Sequence, residues 1–332
     1  MNQFLNNHYE WKENINLEEW DTLLSNLNGH PLQSTIWGEA RKLSCGIKYH
    51  CWAAFKNNVP VFLVRFEERI FLNYFKIAWV PKGPTYLEEN NSAVKFDFFK
   101  RLKKKGFFLC ATNPWKKIEL SNAIHSDFYT IWIDLTQGKE KIWGNLNKQC
   151  RYDIKKANKM DVKIIKTTSQ DDFKAFYSIC ESVSKYKKFE LGNSAPLMSF
   201  LLSNNNPTIE SCLFIAKHEN NLCGGAFLMR CGESVHYLWG AVDRNFSHLC
   251  IGESLQWEII KWALEKNCTK YDMEGISEKQ DSGVDRFKKK FGGSVVACPN
   301  IQFFPLCWGK NIVLFLLKTY LKIKPKIIKY KK

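Results

Sequence analysis

Two stretches of this chain, about 160 residues apart, repeat the same order of predicted elements. Each begins with an apolar run, a polar turn and a second apolar run, which is the pattern of a β-hairpin. The hairpins cover residues 52–66 and 213–229. Another strand, an amphipathic helix and a closing strand follow each hairpin. This repeat limits the chain to an α/β architecture in which one mixed-sheet unit occurs twice.

The remaining elements of each repeat can be placed from apolar periodicity. Strands are predicted at residues 77–80 and 235–240, helices at 94–105 and 253–266, and closing strands at 107–112 and 270–274. We expect two tandem GNAT-like (N-acyltransferase) domains with mixed sheets. The stretch Thr136-Gln137-Gly138-Lys139 interrupts the pattern, so the predicted domains are residues 1–145 and 146–307, followed by a basic amphipathic tail at 308–332.

Composition limits the classes of partner that this chain is expected to bind. The 332 residues suffice for two domains, and a net charge of +16 attracts nucleic acid, phosphorylated ligands or an anionic membrane. Codon bias in an AT-rich genome is the other explanation of the lysines. The 12 cysteines are scattered without a CxxC pair, which favours reduced thiols. Because neither a secretory signal nor a long apolar run is visible, we expect a cytoplasmic protein. We also expect it to be a monomer.

The segment at residues 271–293 carries the most specific chemical signal. A predicted strand ends in an acidic turn that contains Gly275, and Phe287-Lys288 follows on a short basic segment closed by Phe291-Gly292-Gly293. This arrangement predicts a strand end that delivers a cation and an aromatic face to a cleft. Without other motifs, Lys288 would be read as one lysine of a solvated basic run.

Three further motifs accompany that segment. Their sequences are RYDIKKA at residues 151–157, WVPKGP at 79–84, and QSTIW at 33–37 with Arg41 downstream. Taken in order, the motifs resemble those of the FemABX family, whose members move amino acids from aminoacyl-tRNA onto the stem peptide of cell-wall precursors. The resemblance runs from about Gln33 to Gly293 and fits the short members, which lack a coiled-coil arm.

The resemblance implies roles for individual residues. Lys288, with Phe287, would place its charge near the ester carbonyl during transfer. The implied substrate-binding residues are Arg41, Lys82, Gly83, Arg151 and Lys155, where Arg151 and Lys155 would line a groove between the domains. From the residues themselves, Asp272 and Glu274 are candidates to orient the amine, and Tyr237 and Trp239 are candidates for the cleft wall. Each also has an ordinary structural explanation, as a solvated face, a turn or a core position.

The resemblance implies a tRNA-dependent aminoacyltransferase of cell-wall cross-bridge formation. Its partners would be aminoacyl-tRNA as co-substrate and a UDP-linked or lipid-linked peptidoglycan precursor, without a further cofactor or metal. The tail could also contact an anionic membrane peripherally, with Trp308 and Tyr320 as anchors. One alternative is a coenzyme A-dependent N-acyltransferase that acts on a cell-envelope amino sugar or lipid, although residues 244–254 lack the double-glycine phosphate loop. Another is a non-catalytic basic protein that binds nucleic acid or a membrane surface.

Overall fold

A computed structural model provides the structure. The described residues are 9–13, 15–87, 92–115, 128–192, 194–277, 279–299, 301–307, 309 and 313. Most of the predicted tail at 308–332, including Trp308 and Tyr320, therefore lies outside the described residues. Within the described part, no helix combines the length and the apolar character needed to cross a bilayer.

The described residues form 14 strands and nine α-helices. In chain order they are β1 (Glu10–Lys12), α1 (Leu17–Asn26), α2 (Thr35–Cys45), β2 (Lys48–Lys56), β3 (Val59–Phe71), β4 (Phe75–Lys82), β5 (Thr85–Tyr86), α3 (Ser92–Lys104), β6 (Phe107–Pro114), β7 (Phe128–Asp134), α4 (Lys139–Asn145), α5 (Lys148–Lys159), β8 (Lys163–Thr167), α6 (Gln170–Lys187), α7 (Ala195–Ser203), β9 (Ile209–His218), β10 (Asn221–Cys231), β11 (Ser234–Val242), α8 (Ile251–Glu265), β12 (Lys270–Asp272), α9 (Gly283–Lys289), β13 (Ser294–Cys298) and β14 (Gln302–Pro305).

The chain divides into two compact units that are not continuous in sequence. Unit 1 contains Met1–Trp20, Ile47–Asp127 and Cys298–Lys332, and unit 2 contains Asp21–Gly46 and Phe128–Ala297. This division differs from the predicted boundaries at 145 and 307. The difference has three sources: β7 belongs to the second sheet, an early segment (Asp21–Gly46) joins unit 2, and the segment from Cys298 onward, with β14, joins unit 1.

Hydrogen bonds to a buried aspartate, Asp21, hold the early segment within unit 2. Asp21 accepts hydrogen bonds from the backbone N–H and the hydroxyl of Thr35, at 2.8 and 2.7 Å, and from the Asn206 amide at 3.1 Å. Ser34 caps α2 by accepting from Trp37 N–H at 3.1 Å. The contact between Asp21 and Asn206 joins residues 185 positions apart, so no local sequence pattern announces it.

Unit 1 is built on a mixed sheet in the order β1-β2-β3-β4-β6-β14, with β5 paired to β3. The predicted hairpin at 52–66 is confirmed as β2–β3, whose turn carries Asn57 and Asn58 at positive φ. Strands β4 and β6 run parallel and stay paired from Lys76 to Lys82. Helix α3 covers one face and buries Val94, Phe98 and Leu102.

Unit 2 contains the second mixed sheet, in the order β13-β7-β12-β11-β10-β9-β8. The predicted hairpin at 213–229 is confirmed as β9–β10. Helix α8 confirms the predicted helix at 253–266, and its apolar face is buried through Leu255, Ile259, Ile260 and Ala263. The predicted closing strand at 270–274 ends two residues early, because Glu274 adopts a left-handed conformation at φ +58°.

Candidate active site

The site begins where two parallel strands of unit 2 separate. Strands β11 and β12 are paired only at Ser234–Lys270, Val235–Tyr271 and His236–Asp272. Beyond His236, β11 continues to Val242 alongside β10, whereas the chain after Asp272 turns away. Because parallel strands that separate leave a crevice at their carboxyl ends, this end of the sheet is the natural position for a ligand. In unit 1 the corresponding pair, β4 and β6, stays joined along its length.

A cavity of about 770 Å³ occupies the opening in unit 2. Its walls come from the end of α6, the middle of β10, the second half of β11, the start of α8, the turn after β12 and both ends of α9. The charged side chains that line it are Lys187, Arg244, Lys288, Glu253 and Glu274. The volume is within the range of pockets that hold small molecules or a terminal group of a larger ligand.

Lys288 is buried at the cavity wall, with 6% of its surface exposed. Its ammonium group donates hydrogen bonds to the backbone carbonyl oxygens of Glu274 at 2.9 Å and of Gly275 at 2.8 Å. The nitrogen also lies 5.8 Å from the centre of the Tyr237 ring. A buried ammonium requires such partners, since its desolvation is costly. The turn after β12 therefore fixes the position of this positive charge.

Hydrogen bonds also fix Glu274, whose backbone carbonyl oxygen accepts from Lys288. Its Oε1 atom lies 3.0 Å from His30 Nε2 and 3.1 Å from His236 Nδ1, and both histidines are buried. Its backbone N–H donates to the Asp272 carboxylate at 2.8 Å. A non-glycine residue at positive φ is strained and persists where surrounding contacts require it. Here the two imidazoles and Lys288 supply those contacts.

His30, His236 and Glu274 place their ligand atoms within 4.8 Å of one another, close enough to hold a metal ion. The hydrogen bonds argue for a different use. Leu32 N–H donates to His30 Nδ1 at 3.1 Å, so in the neutral ring the proton is on Nε2. A protonated Nε2 donates to the Glu274 carboxylate and offers no lone pair to a metal. The cluster therefore fits a carboxylate fixed by imidazoles better than a metal centre.

Asp285 fixes the loop that leads into α9 and has 1% of its surface exposed. Its carboxylate accepts from Ser277 N–H and Ser282 N–H, each at 2.9 Å, and from the Ser277 hydroxyl. Ser282 Oγ accepts from Asp285 N–H at 3.1 Å, which completes a capping box. Burial alone would raise the pKa of Asp285, but these hydrogen bonds outweigh it and lower the pKa to about 2. Sequence reasoning missed this residue, although Ser282-x-x-Asp285 ahead of a basic helix is a recognisable signal.

Aromatic side chains form the rest of the wall. Phe287 lies over the start of α8, where a Cβ at Gly252 would be 3.1 Å from its ring. Tyr237 lies over Gly240, where a Cβ would be 1.7 Å from the phenol oxygen. Burial raises the pKa of the Tyr237 phenol well above its ordinary value. Trp239 also lines the cavity and stacks on Trp37 at 6.2 Å between ring centroids.

The structure thus brings five of the predicted site residues to one cavity. They are Lys288, Phe287, Glu274, Tyr237 and Trp239. The sequence analysis did not assign His30, His236, Arg244 or Asp285 to the site. His236 is buried on β11 and contacts the Glu274 carboxylate at 3.1 Å.

Three predicted residues of unit 2 have other surroundings. Asp272 is fully buried and accepts hydrogen bonds from Trp132 Nε1 at 2.9 Å and from the Thr130 hydroxyl, so it supports the turn instead of facing the cavity. Arg151 donates to the carbonyl oxygens at the end of α4, with Gly144 at 2.9 Å. These contacts explain the arginine as a helix cap. Lys155 is exposed on α5.

The other predicted binding residues are not among those that line the cavity. Arg41 is on α2, with Nη1 3.4 Å from Cys45 Sγ. Lys82 and Gly83 belong to unit 1, where Lys82 N–H donates to the Asn113 side chain at 2.9 Å and the Gly83 carbonyl oxygen accepts from Thr112 at 2.5 Å. The Gly83–Pro84 peptide bond is cis. Their assignment to a precursor remains a prediction.

Comparisons with known proteins agree with this architecture. The chain superposes on the crystal structure of FemX with a TM-score of 0.77 and 14% identity, over 93% of this chain and 100% of that one. It matches a tandem GNAT protein of the clavulanic acid biosynthesis pathway with a TM-score of 0.51 and 9% identity, over 90% of this chain and 99% of that one. These likenesses confirm the predicted fold of two GNAT-like domains.

Sequence comparison identifies the family. The aminoacyltransferase FemA of Staphylococcus epidermidis is 31% identical over 87 residues, which are 24% of this chain and 21% of FemA. The aligned stretch thus spans about a fifth of that relative. The model of the FemAB family matches residues 115–195 and 203–299, more than half of the chain. This chain, with its two mixed sheets and its Phe287-Lys288 motif, belongs to the FemAB family.

Proposed function

We propose that this chain transfers an amino acid from aminoacyl-tRNA to the stem peptide of a peptidoglycan precursor. Membership of the FemAB family and the sequence similarity to FemA support the reaction class. The observation that carries the proposal is the buried Lys288 ammonium at the cavity of unit 2, held by two carbonyl oxygens. The tRNA dependence and the identity of the acceptor are part of the proposal.

The proposed reaction needs little machinery because an aminoacyl ester is already activated. The acceptor amine loses a proton and attacks the ester carbonyl carbon. The tetrahedral intermediate then breaks its bond to the ribose oxygen, which leaves with a proton, and an amide remains. Such a reaction requires proximity of the two substrates and a positive group beside the developing oxyanion.

Lys288 is the residue that we assign to the oxyanion. Its position is set in advance by Glu274 O and Gly275 O, so little reorganisation is needed when charge develops. The aromatic wall of Tyr237, Trp239 and Phe287 excludes water and strengthens the interaction. We assign Glu274, which lines the same cavity, to orienting the amine.

The cations at the cavity mouth suit an anionic co-substrate. Arg244 stacks on Tyr186 with its guanidinium carbon 3.5 Å from the ring centre, and Lys187 lies beside them. An arginine stacked on an aromatic ring beside further positive charge is a common arrangement for nucleotide phosphates and bases. This supports a nucleic-acid end as the donor.

A coenzyme A-dependent N-acyltransferase is the second candidate, because the tandem GNAT fold serves that class and the start of α8 opens on the cavity. Two observations weigh against it. The Phe287 ring covers Gly252 in the first turn of α8, and Glu253 places a carboxylate there. The ring occupies the space and the carboxylate repels negative charge, so both disfavour the binding of a pyrophosphate at this helix end. Titration with acetyl-CoA in a calorimeter separates the candidates, since a dissociation constant in the micromolar range would favour the coenzyme A-dependent acyltransferase.

The direct test is incubation with mixed aminoacyl-tRNAs and with both UDP-linked and lipid-linked precursors, followed by mass spectrometry. We expect a mass increase of one or more amino acid residues on one precursor form, dependent on charged tRNA. Uncharged tRNA is the control. Binding to tRNA regardless of its charging, without any product, would support the non-catalytic alternative.

A further inference from the structure

An apolar cluster is exposed at the tip of the β3–β4 hairpin in unit 1. The exposed fractions are 54% for Ile70, 56% for Phe71, 65% for Leu72 and 86% for Tyr74. Phe75 follows at 39%. Single exposed apolar residues are ordinary, but a contiguous cluster at a projecting tip marks an interaction surface.

The turn itself does not require apolar residues. Tyr74 N–H donates to Phe71 O at 3.2 Å, and the two central residues, Leu72 and Asn73, have φ of +50° and +61°. Left-handed positions of this kind favour asparagine or glycine and disfavour a bulky side chain. The corresponding turn of β2–β3 carries Asn57 and Asn58 at such positions, and that of β9–β10 carries Glu219 and Asn220. The leucine at the tip is therefore not explained by local backbone chemistry.

Several lysines lie at the same end of the unit 1 sheet as this hairpin tip. Lys76 of β4 pairs with Phe107 at the start of β6, which places the end of α3 and the residue after it, with the exposed Lys103, Lys104 and Lys105, at this end of the sheet. Phe75 and Phe108 confirm the proximity, with ring centroids 4.8 Å apart.

Lys48 and Arg69 complete the cationic group. Three carboxylates form ion pairs with this group. Glu68 pairs with Lys48 and Lys76, Glu67 pairs with Arg69, and Glu13 pairs with Lys105. Of the residues named here, six are cations and three are carboxylates, so the base of the hairpin keeps a positive excess.

We propose that the hairpin tip inserts into the interface of an anionic phospholipid bilayer. The apolar tip would enter the boundary between headgroups and acyl chains, and the lysines behind it would lie at the level of the lipid phosphates. The tyrosine at the tip suits that boundary, since its ring is apolar and its hydroxyl is polar. The excess of positive charge selects an anionic surface as the occupant. The proposal does not rest on the acyl-transfer chemistry.

The test uses the full chain and vesicles of phosphatidylcholine, alone or mixed with phosphatidylglycerol. We expect sedimentation with the anionic vesicles only. The double variant Leu72→Asn with Tyr74→Ser should lower the partition coefficient about tenfold, because it removes the apolar tip while asparagine suits the turn. Replacing Lys103, Lys104 and Lys105 by glutamine should also weaken binding. Leu43→Asn, at a leucine of unit 2 that is 67% exposed, is the matched control and should bind as the unmodified chain does.

Hydrogen exchange locates the contact independently of residues 308–332. Anionic vesicles should slow exchange at residues 70–75 and leave the Asn57–Asn58 turn unchanged. The proposal is overturned if the chain does not bind anionic vesicles, or if the double variant binds as well as the unmodified chain. Protection of residues 70–75 that appears with increasing protein concentration and without lipid would identify a second copy as the occupant instead, and would overturn it too.

Discussion

The ammonium nitrogen of Lys288 lies 2.9 Å from the backbone carbonyl oxygen of Glu274, while the carboxylate of that glutamate accepts from His30 and His236. One residue thus connects two buried imidazoles to the lysine. Any change that moves Glu274 should move the positive charge as well.

Glu274→Ala should destabilise the protein by about 1–3 kcal/mol, because it removes the acceptor of two buried hydrogen bonds. Transfer by the folded protein should also slow, since the turn that holds Lys288 loses its side-chain anchor. Urea unfolding and single-turnover transfer measure the two effects. Glu274→Gln keeps an oxygen acceptor and should recover part of both. Equal behaviour of the alanine and glutamine variants would contradict the account.

Asp285→Asn should destabilise by about 1–2 kcal/mol near neutral pH, because the capping box and the serine contacts weaken. The folded-state pKa of Asp285 is about 2, below its ordinary value of 3.8. Its stabilisation is therefore present above pH 3.8 and is lost as the pH falls through about 2. The stability difference between the unmodified chain and Asp285→Asn should shrink across that interval. The exposed Asp281→Asn should show no such change, and a difference independent of pH would refute the assignment.

Gly240→Ala should displace Tyr237, since the new Cβ would lie 1.7 Å from the phenol oxygen. Overpacking of this kind typically costs about 1–3 kcal/mol, and the cavity wall would change shape. The comparison is Gly144→Ala on α4, where, apart from the chain neighbours and the backbone of the helix itself, no atom of the described residues lies within 4 Å of the added Cβ. The midpoint temperature of thermal unfolding and the transfer rate should fall for Gly240→Ala and not for Gly144→Ala. A normal transfer rate in Gly240→Ala would show that Tyr237 does not shape the site.

Lys290→Ala should reduce stability more than catalysis. The Lys290 ammonium lies 2.5 Å from Glu253 and 3.4 Å from Asp153, which joins the end of α9 to α8 and α5. Burial alone would lower the pKa of Lys290, but the two carboxylates raise it above 10.5. Its stabilisation is therefore present below pH 10.5 and is lost as the pH rises through the folded-state pKa.

We expect a loss of about 1–2 kcal/mol near neutral pH in urea unfolding of Lys290→Ala, diminishing at alkaline pH. The transfer rate per folded molecule should be nearly unchanged. A variant that keeps its stability but loses transfer would instead place Lys290 in the chemistry.

Local patterns predicted much of the fold. The hairpins at Asn57–Asn58 and Glu219–Asn220 follow from turn residues that tolerate positive φ between apolar runs. Helix α8 followed from the spacing of Leu255, Ile259 and Ala263. Strand β7, with its FYTIWID sequence, has the β-branched and aromatic composition of a strand, but it was not assigned.

The candidate site was only partly predictable. Lys288 and Glu274 are 14 residues apart, so one motif could suggest both. The contact of His30 with Glu274 spans 244 positions and depends on the early segment joining unit 2. Such contacts are set by tertiary packing, and no periodicity or turn chemistry reports them. Arg151 shows the reverse case, because a basic stripe on a helix looks the same whether it binds a ligand or caps a neighbouring helix.

The most direct test of the central claim compares single-turnover transfer by Lys288→Ala and Lys289→Ala, with charged tRNA and precursor at saturation. Lys289 is the matched control, because it is adjacent, exposed and bonded to the Gln280 carbonyl oxygen at 3.0 Å. We predict that Lys288→Ala lowers the rate by about 10²–10³-fold while the circular dichroism spectrum is retained, and that Lys289→Ala changes it by less than about threefold. Equal losses in both variants would contradict the claim, since they would reflect general attraction of tRNA to a basic surface.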